Sequence, residues 1–219
     1  MKKKIFVSAL RHTLPVLTGY LVLGMGFGIL MKTNGYGVWW AFAMSLLIYA
    51  GSMQYAAVGL LTGGASLLTV ALTTLAVNAR HLFYGISMID AYRGTGAKKP
   101  YLIFALTDET YSLVCGGSDP QYAFYVSLLD HFYWLTGTLL GSLLGSALHF
   151  NTKGIDFALT ALFLTVFLDQ WLSSREHFSA LAGVGASLLC LLLFGADRFL
   201  IPAMLLITAL LLLRKEARA

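Results

Sequence analysis

The sequence predicts an all-α membrane protein: one transmembrane domain over residues 1–219, with about seven hydrophobic segments, broken or re-entrant helices and two inverted repeats. Three observations lead there. Only 11% of the residues are charged, where soluble domains carry about 25%, and 58% are apolar. Several apolar runs reach the roughly 20 residues that a helix needs to cross a hydrocarbon core about 30 Å thick. Finally, an ordered series of residues recurs between the two halves of the chain.

The segments read as 14–31, 38–61, 65–90, 101–115, 122–148, 155–172 and 178–213. The start, with Lys2, Lys3 and Lys4, resembles the basic end of a signal peptide. The apolar run Leu14 to Met31 is longer than a signal peptide needs, and no small-x-small cleavage site follows, so a retained first span is expected. Three segments carry polar or small residues at mid-run, the sequence sign of discontinuous helices. They are 38–61 at Ala50-Gly51-Ser52, 65–90 at Asn78-Ala79-Arg80-His81, and 178–213 at Gly195-Ala196-Asp197-Arg198 followed by Pro202.

The repeat rests on Gly24, Gly28, Gly37 and Ala41, which recur 117 residues later as Gly141, Gly145, Gly154 and Ala158. With small gaps Gln54-Tyr55 falls on Gln170-Trp171, Gly64-Ala65-Ser66-Leu67-Leu68 on Gly185-Ala186-Ser187-Leu188-Leu189, and Arg80 on Arg198. Copies at about 14–90 and 131–213, joined by 91–130, would then bring paired helix breaks together. Basic residues orient the chain. The start, Lys2 to Arg11, and the loop Arg93 to Lys99 are both expected on the cytoplasmic side. An even number of crossings must separate them. Segments 14–31 and 38–61 would supply two, making 65–90 re-entrant. Segment 101–115 would cross outward to the loop Gly116–Gln121, which has no Lys or Arg. The competing arrangement has 65–90 crossing fully, with Lys98 and Lys99 outside.

Ionisable residues within apolar runs cost about 2.5–3.5 kcal/mol each to insert at the helix centre, so they mark partners or cavities. Arg80, with Asn78 and His81, suits either a substrate carboxylate or an ion pair with Asp108 or Glu109. Asp108 and Glu109 suit either proton coupling and ammonium binding or that same structural pair. Asp130 and His131 read rather as structural or interfacial. Gly51 marks a helix break, and Gln54 and Gln170 occupy matching repeat positions, either lining a site or bonding between helices. Gly24/Gly28 and Gly137/Gly141/Gly145 form GxxxG faces for close packing. The tryptophans Trp39, Trp40, Trp134 and Trp171 read as interfacial anchors or core.

Other classes lack their residues. The +5 net charge is scattered between apolar runs, with no basic patch interleaved with aromatics, so no nucleic-acid partner is indicated. Cys115 and Cys190 lack metal or disulfide spacing. No phosphate-binding GxxxxGK[ST], HExxH, serine elbow or potassium-filter motif is present, so the reading is not an enzyme, with no catalytic residue, metal or cofactor. Secondary transport remains, with a channel or ion-permeation protein of the inner membrane as the alternative.

The chain resembles the AzlC family of branched-chain amino acid exporters along nearly its whole length. The marks are Pro15 with Gly24-Met25-Gly26-Phe27-Gly28, then Tyr49-Ala50-Gly51-Ser52-Met53-Gln54, Asn78-Ala79-Arg80-His81-Leu82-Phe83-Tyr84-Gly85 and Thr107-Asp108-Glu109-Thr110-Tyr111. The resemblance implies a multi-pass protein of the cytoplasmic membrane that exports hydrophobic amino acids such as valine, leucine and isoleucine down a proton or ion gradient. It also implies a second, smaller membrane subunit of the AzlD type.

Overall fold

The computed structural model describes residues 2–115, 117–147, 176–195 and 199–216, with Leu164, Phe167, Leu168, Trp171 and Leu172 between them. These residues are helical and form two compact units, Met1–Leu159 and Thr160–Ala219.

The first unit is built on two long helices, α1 (Lys2–Thr33) and α7 (Pro120–Ala147). Tyr20 packs on Trp134, Gly24 on Gly137, Gly28 on Gly141 and Lys32 on Gly145, so the two helices run parallel. Glycine is what allows this approach. A Cβ at Gly28 would overlap the Thr138 carbonyl, and one at Gly141 the Met25 carbonyl. The two glycine faces therefore close on each other, which confirms packing as their use. The 117-residue offset makes α1 and α7 equivalent, yet inverted copies would run antiparallel. This pair does not carry the expected inversion.

Between them come α2 (Val38–Leu47), α3 (Gly51–Thr62), α4 (Leu67–Ser87), a short 3-10 turn (Gly96–Lys98), α5 (Lys99–Phe104) and α6 (Asp108–Val114). Their contacts fix their direction. We call the end of the bundle holding the start of α1 the near end. The α2 helix leaves the far end after the turn at Gly35 and reaches the bundle centre, where Tyr49 lies against His131. The α3 helix turns back, so that Tyr55 donates to the Leu23 carbonyl at 2.7 Å. The α4 helix then crosses completely. It starts with Ser66 capping the Thr69 amide and ends at Met88, which packs with Ala9 and Tyr92. The α5 helix starts at the near end, where Lys98 bonds Gln121, and climbs to Phe104 beside His131. The α6 helix returns, and Val114 rejoins the near-end cluster of Ala9, Ala123 and Val126.

The sequence expectations divide accordingly. The break at Ala50-Gly51 exists, and the two basic segments Lys2–Arg11 and Arg93–Lys99 share the near end. The segments that turn back on themselves at mid-run, however, are 38–61 and 101–115, not 65–90. Helix α4 runs unbroken through Asn78–His81. It contains no proline and no glycine before Gly85, so nothing removes a backbone bond, and Arg80 finds its partners sideways on the hairpins. Segment 101–115 does not cross either, and Gly117–Gln121 lies at the near end. Its break, Ala105–Thr107, was not anticipated, although Thr107 followed by two acids is a helix-start pattern. The first helix also begins well before residue 14 and continues through Pro15.

In the second unit α8 (Phe178–Phe194) and α9 (Leu200–Glu216) pack together. Gly195 ends α8 with φ of 72°, in the region glycine favours, so segment 178–213 is interrupted where expected. Arg214 near the end of α9 lies over the Phe178 ring and bonds Glu176 at 2.9 Å, which makes the pair antiparallel. Segment 155–172, apart from the five isolated residues named above, lies outside the described residues, as do Gly154, Ala158, Gln170 and Arg198.

Among the described residues one helix, Lys2–Thr33, is by itself long and apolar enough to cross a membrane; Val38–Leu47, Phe178–Phe194 and Leu205–Arg214 are shorter apolar stretches. The surface is apolar over wide areas: Val22, Trp39, Trp40, Leu67, Leu75, Ile86 and Leu192 are all more than 60% exposed.

Candidate functional site

The two hairpin breaks, Ile48–Ala50 and Ala105–Thr107, meet at the centre of the first unit between α1, α4 and α7. Three features of sequence set their local shape. Ala50 precedes α3, whose first helical bond runs from the Gln54 amide to the Ala50 carbonyl, so the amides of Gly51, Ser52 and Met53 have no carbonyl one turn back. Tyr49 takes φ of 42°, which is unusual for a bulky residue and is sustained by its ring contacts with His131 and Phe104. Thr107 caps α6 by accepting from the Thr110 amide at 3.3 Å.

One cluster joins α3, α4 and α6. The Arg80 guanidinium pairs with the Asp108 carboxylate and donates to the Ser52 hydroxyl at 2.9 Å. Both charged side chains are 34% exposed. One arginine on an unbroken helix thus ties the first turns of both return helices. His81 turns back on its own helix, within 3.3 Å of the Asn78 carbonyl, and touches the Tyr84 ring.

A second cluster lies deeper. Tyr20 donates to Glu109 at 2.7 Å and shares a 2.8 Å hydrogen bond with Thr107. Thr110 donates to one oxygen of Asp130 at 2.9 Å. Asp130 is 0% exposed, and its other oxygen is buried with no hydrogen-bond partner among the described residues. His131 shares hydrogen bonds with Tyr101 at 3.2 Å and the Ser45 carbonyl at 3.3 Å. Asp130 and His131 are therefore central, not interfacial.

A third network is structural. Trp134 donates to Gln54, Gln54 donates to Ser45, and Ser45 bonds Thr138, in steps of 2.9, 2.9 and 2.8 Å. Gln54 is fully buried within it. The Gly51 position holds the Trp134 ring, which a Cβ there would meet at 3.0 Å. Trp134 also touches Tyr20, linking this network to the acids.

Of the residues singled out in sequence, Gly51, Gln54, Arg80, Asp108 and Glu109 surround the two breaks. Asn78 and His81 lie on α4 beside them, and Gln170 lies outside the described residues. Sequence reasoning missed Tyr20, Tyr49, Ser52, Thr110 and Asp130 as site residues. Asp130 had a signal, an acid inside an apolar run. Tyr49, Ser52 and Thr110 lay within the quoted motifs but were not singled out, and Tyr20 had no signal, because Tyr, Ser and Thr occur throughout the apolar segments.

Two hairpins entering a helical bundle from opposite ends and meeting at ionisable side chains define a helical protein with discontinuous helices, the class in which irregular backbone lines an internal site. The AzlC protein family model matches residues 15–148. The chain is 46% identical to the branched-chain amino acid transport protein AzlC of Bacillus subtilis (strain 168), over 96% of this chain and 85% of that protein. It is 43% identical to an uncharacterized membrane protein of Helicobacter pylori (strain ATCC 700392 / 26695), over 97% and 96%. It is 26% identical to the inner membrane protein YgaZ of Escherichia coli (strain K12), over 92% and 85%. This chain belongs to the AzlC family. No solved structure matches it.

Proposed function

We propose that this chain is the large subunit of a secondary transporter that exports branched-chain or other hydrophobic amino acids, coupled to protons, with a small AzlD-type membrane subunit. The observation that carries the reading is the meeting of two broken hairpins at Arg80, Ser52, Asp108 and Glu109. The name of the Bacillus subtilis relative supplies the substrate class. An amino acid zwitterion needs a donor set, an acceptor set and an apolar wall. The amides that open α3, with Ser52 beside them, suit its carboxylate. Glu109 and the carbonyls that end α5 suit its ammonium. Tyr49 and Phe104 offer the wall. The Arg80–Asp108 pair holds the two return helices in register around that space.

We read the chain as lying in the cytoplasmic membrane with its near end inside. Lys2, Lys3, Lys4, Arg11, Arg93, Lys98 and Lys99 gather there, against the acids Asp90 and Asp119. The small subunit rests on the family resemblance. The glycine faces do not support it, because α1 and α7 consume them. Helix α4 does, since none of its 21 residues is buried.

The test is flux in proteoliposomes holding both subunits. Saturable uptake of L-valine, L-leucine or L-isoleucine, accelerated by the same amino acid on the opposite side, is the expected result, with KM raised by Ser52→Ala and Glu109→Gln. Absence of any such flux would refute the reading. Flux without saturation or acceleration from the opposite side would identify a channel instead.

A further inference from the structure

The proton-coupling residue need not be either acid of the Asp108–Glu109 pair. Asp108 already faces a guanidinium, and Glu109 is an acceptor for Tyr20. Resting on the transport reading above, we propose that Asp130 on α7 is the carboxyl that releases and regains the coupling proton, and that Thr110 on the facing α5–α6 hairpin sets how readily it does so.

The geometry of Asp130 separates it from the other two acids. It is wholly buried at the centre of the bundle. One of its oxygens accepts from the Thr110 hydroxyl, and the other has no partner among the described residues. The groups facing it are neutral or negative. Tyr49 comes from the α2–α3 break and Tyr101 from α5. Glu109 and Thr110 come from α6, and Tyr122 lies two turns before it on α7. His131 follows it in sequence but spends its ring on Tyr101 and the Ser45 carbonyl. Arg80 is engaged with Asp108 and Ser52. A carboxylate with one neutral hydrogen bond and a neighbouring acid is costly when buried, whereas the protonated acid is not.

The resting group is therefore the neutral acid. It ionises when the site opens to water or when a substrate ammonium arrives beside Glu109. The proton then leaves to the solvent on the open side, and one returns from the other side after the substrate has gone. One proton lost and one regained per cycle, with the O–H bond of Asp130 broken and reformed, gives exchange of protons against amino acid. Because Thr110 lies on the α5–α6 hairpin and Asp130 on the continuous helix α7, any movement of that hairpin changes the hydrogen bond that favours the charged form.

The experiment compares two rates in proteoliposomes of the full two-subunit complex: valine efflux driven by an imposed pH gradient, and valine–valine exchange without one. In the unaltered protein the ratio of the first to the second exceeds unity, and a pH dye records proton movement on adding valine. Asp130→Asn brings the ratio to unity and abolishes the dye signal. Thr110→Val, which keeps the carboxyl but deletes its hydrogen bond, moves the pH dependence of the driven rate to higher pH. A gradient response that survives Asp130→Asn, or a pH profile unmoved by Thr110→Val, overturns the proposal. If Asp130→Asn does not assemble, the Thr110→Val profile decides alone. Unaltered protein that exchanges valine but ignores the gradient overturns this inference and leaves the transport reading standing; no valine exchange at all overturns both.

Discussion

Asp108 and Glu109 are neighbours in sequence, but their side chains leave α6 for different partners. Asp108 goes to Arg80 on α4, and Glu109 to Tyr20 on α1. Their substitutions should differ accordingly. Asp108→Asn strands a guanidinium. The pair is about a third exposed, so the loss should fall between the ~0–1 kcal/mol of a surface pair and the ~3–5 kcal/mol of a buried one. Glu109→Gln keeps an oxygen for the Tyr20 hydroxyl and should cost less, about 1 kcal/mol or below. Thermal unfolding of the purified variants in detergent ranks them. An Arg80→Gln/Asp108→Asn double variant should be more stable than the sum of its singles, since each single leaves a partner uncompensated. An ion pair between Arg80 and an acid of this couple was one of two readings the sequence offered, because a mid-run arginine needs a partner or a cavity. The choice of Asp108 over Glu109 was not legible, since it depends on where α6 starts.

At the scale of elements, the packing of α1 on α7 and the caps of the return helices make separate demands. Gly28→Ala and Gly141→Ala place a methyl against a main-chain carbonyl of the facing helix, which no rotamer change relieves. Each should destabilise by about 1–3 kcal/mol or more. Gly19→Ala, on the same helix with open space at its Cβ, should be neutral or slightly stabilising, by up to ~1 kcal/mol. Melting temperatures of the three proteins in one detergent check the contrast. Thr107→Ala removes both the cap of α6 and a hydrogen bond to Tyr20, and should cost about 1–2 kcal/mol. The same measurement, with Thr107→Ser as the conservative control, tests it. GxxxG spacing announced the close approach of helices here, but not that the two faces are each other's partners. Breaks were legible where glycine marked them, at Gly51 and Gly195. The break at Ala105–Thr107 has no glycine or proline. Conversely, the charged run Asn78–His81 resembled a break and is not one, because side-chain partners satisfy it without unwinding the backbone.

Across the first unit, one plan occurs twice in opposite senses. A crossing helix, α1, is followed by a hairpin that enters from its exit end, α2–α3. A crossing helix of opposite direction, α4, is then followed by a hairpin from the other end, α5–α6. This inversion has a shorter period than the 117-residue one read from the glycines. It leaves few sequence matches, because the two hairpins bury different side chains: Gln54 and Tyr55 in one, Thr107 and Thr110 in the other. The plan makes a prediction about sidedness. Cys115 ends α6 and is exposed, so it should lie on the same side as residue 97 and the amino terminus. Had segment 101–115 crossed the bilayer, Cys115 would lie on the opposite side. In the orientation proposed above, the basic residues at the near end put that side in the cytoplasm. With Cys190 replaced by Ser, a membrane-impermeant thiol reagent should modify Cys115 in inside-out vesicles and leave it intact in right-side-out ones. In a background lacking Cys115, Ala97→Cys should behave identically. Asn34→Cys and Thr62→Cys, at the exposed far ends of α1 and α3, should show the reverse. Cys115 reacting together with Asn34→Cys would refute the re-entrant α5–α6 hairpin. Thr62→Cys reacting together with Ala97→Cys would refute the re-entrant α2–α3 hairpin. Either result would separate the two breaks, and with them the site where Arg80 reaches both Ser52 and Asp108.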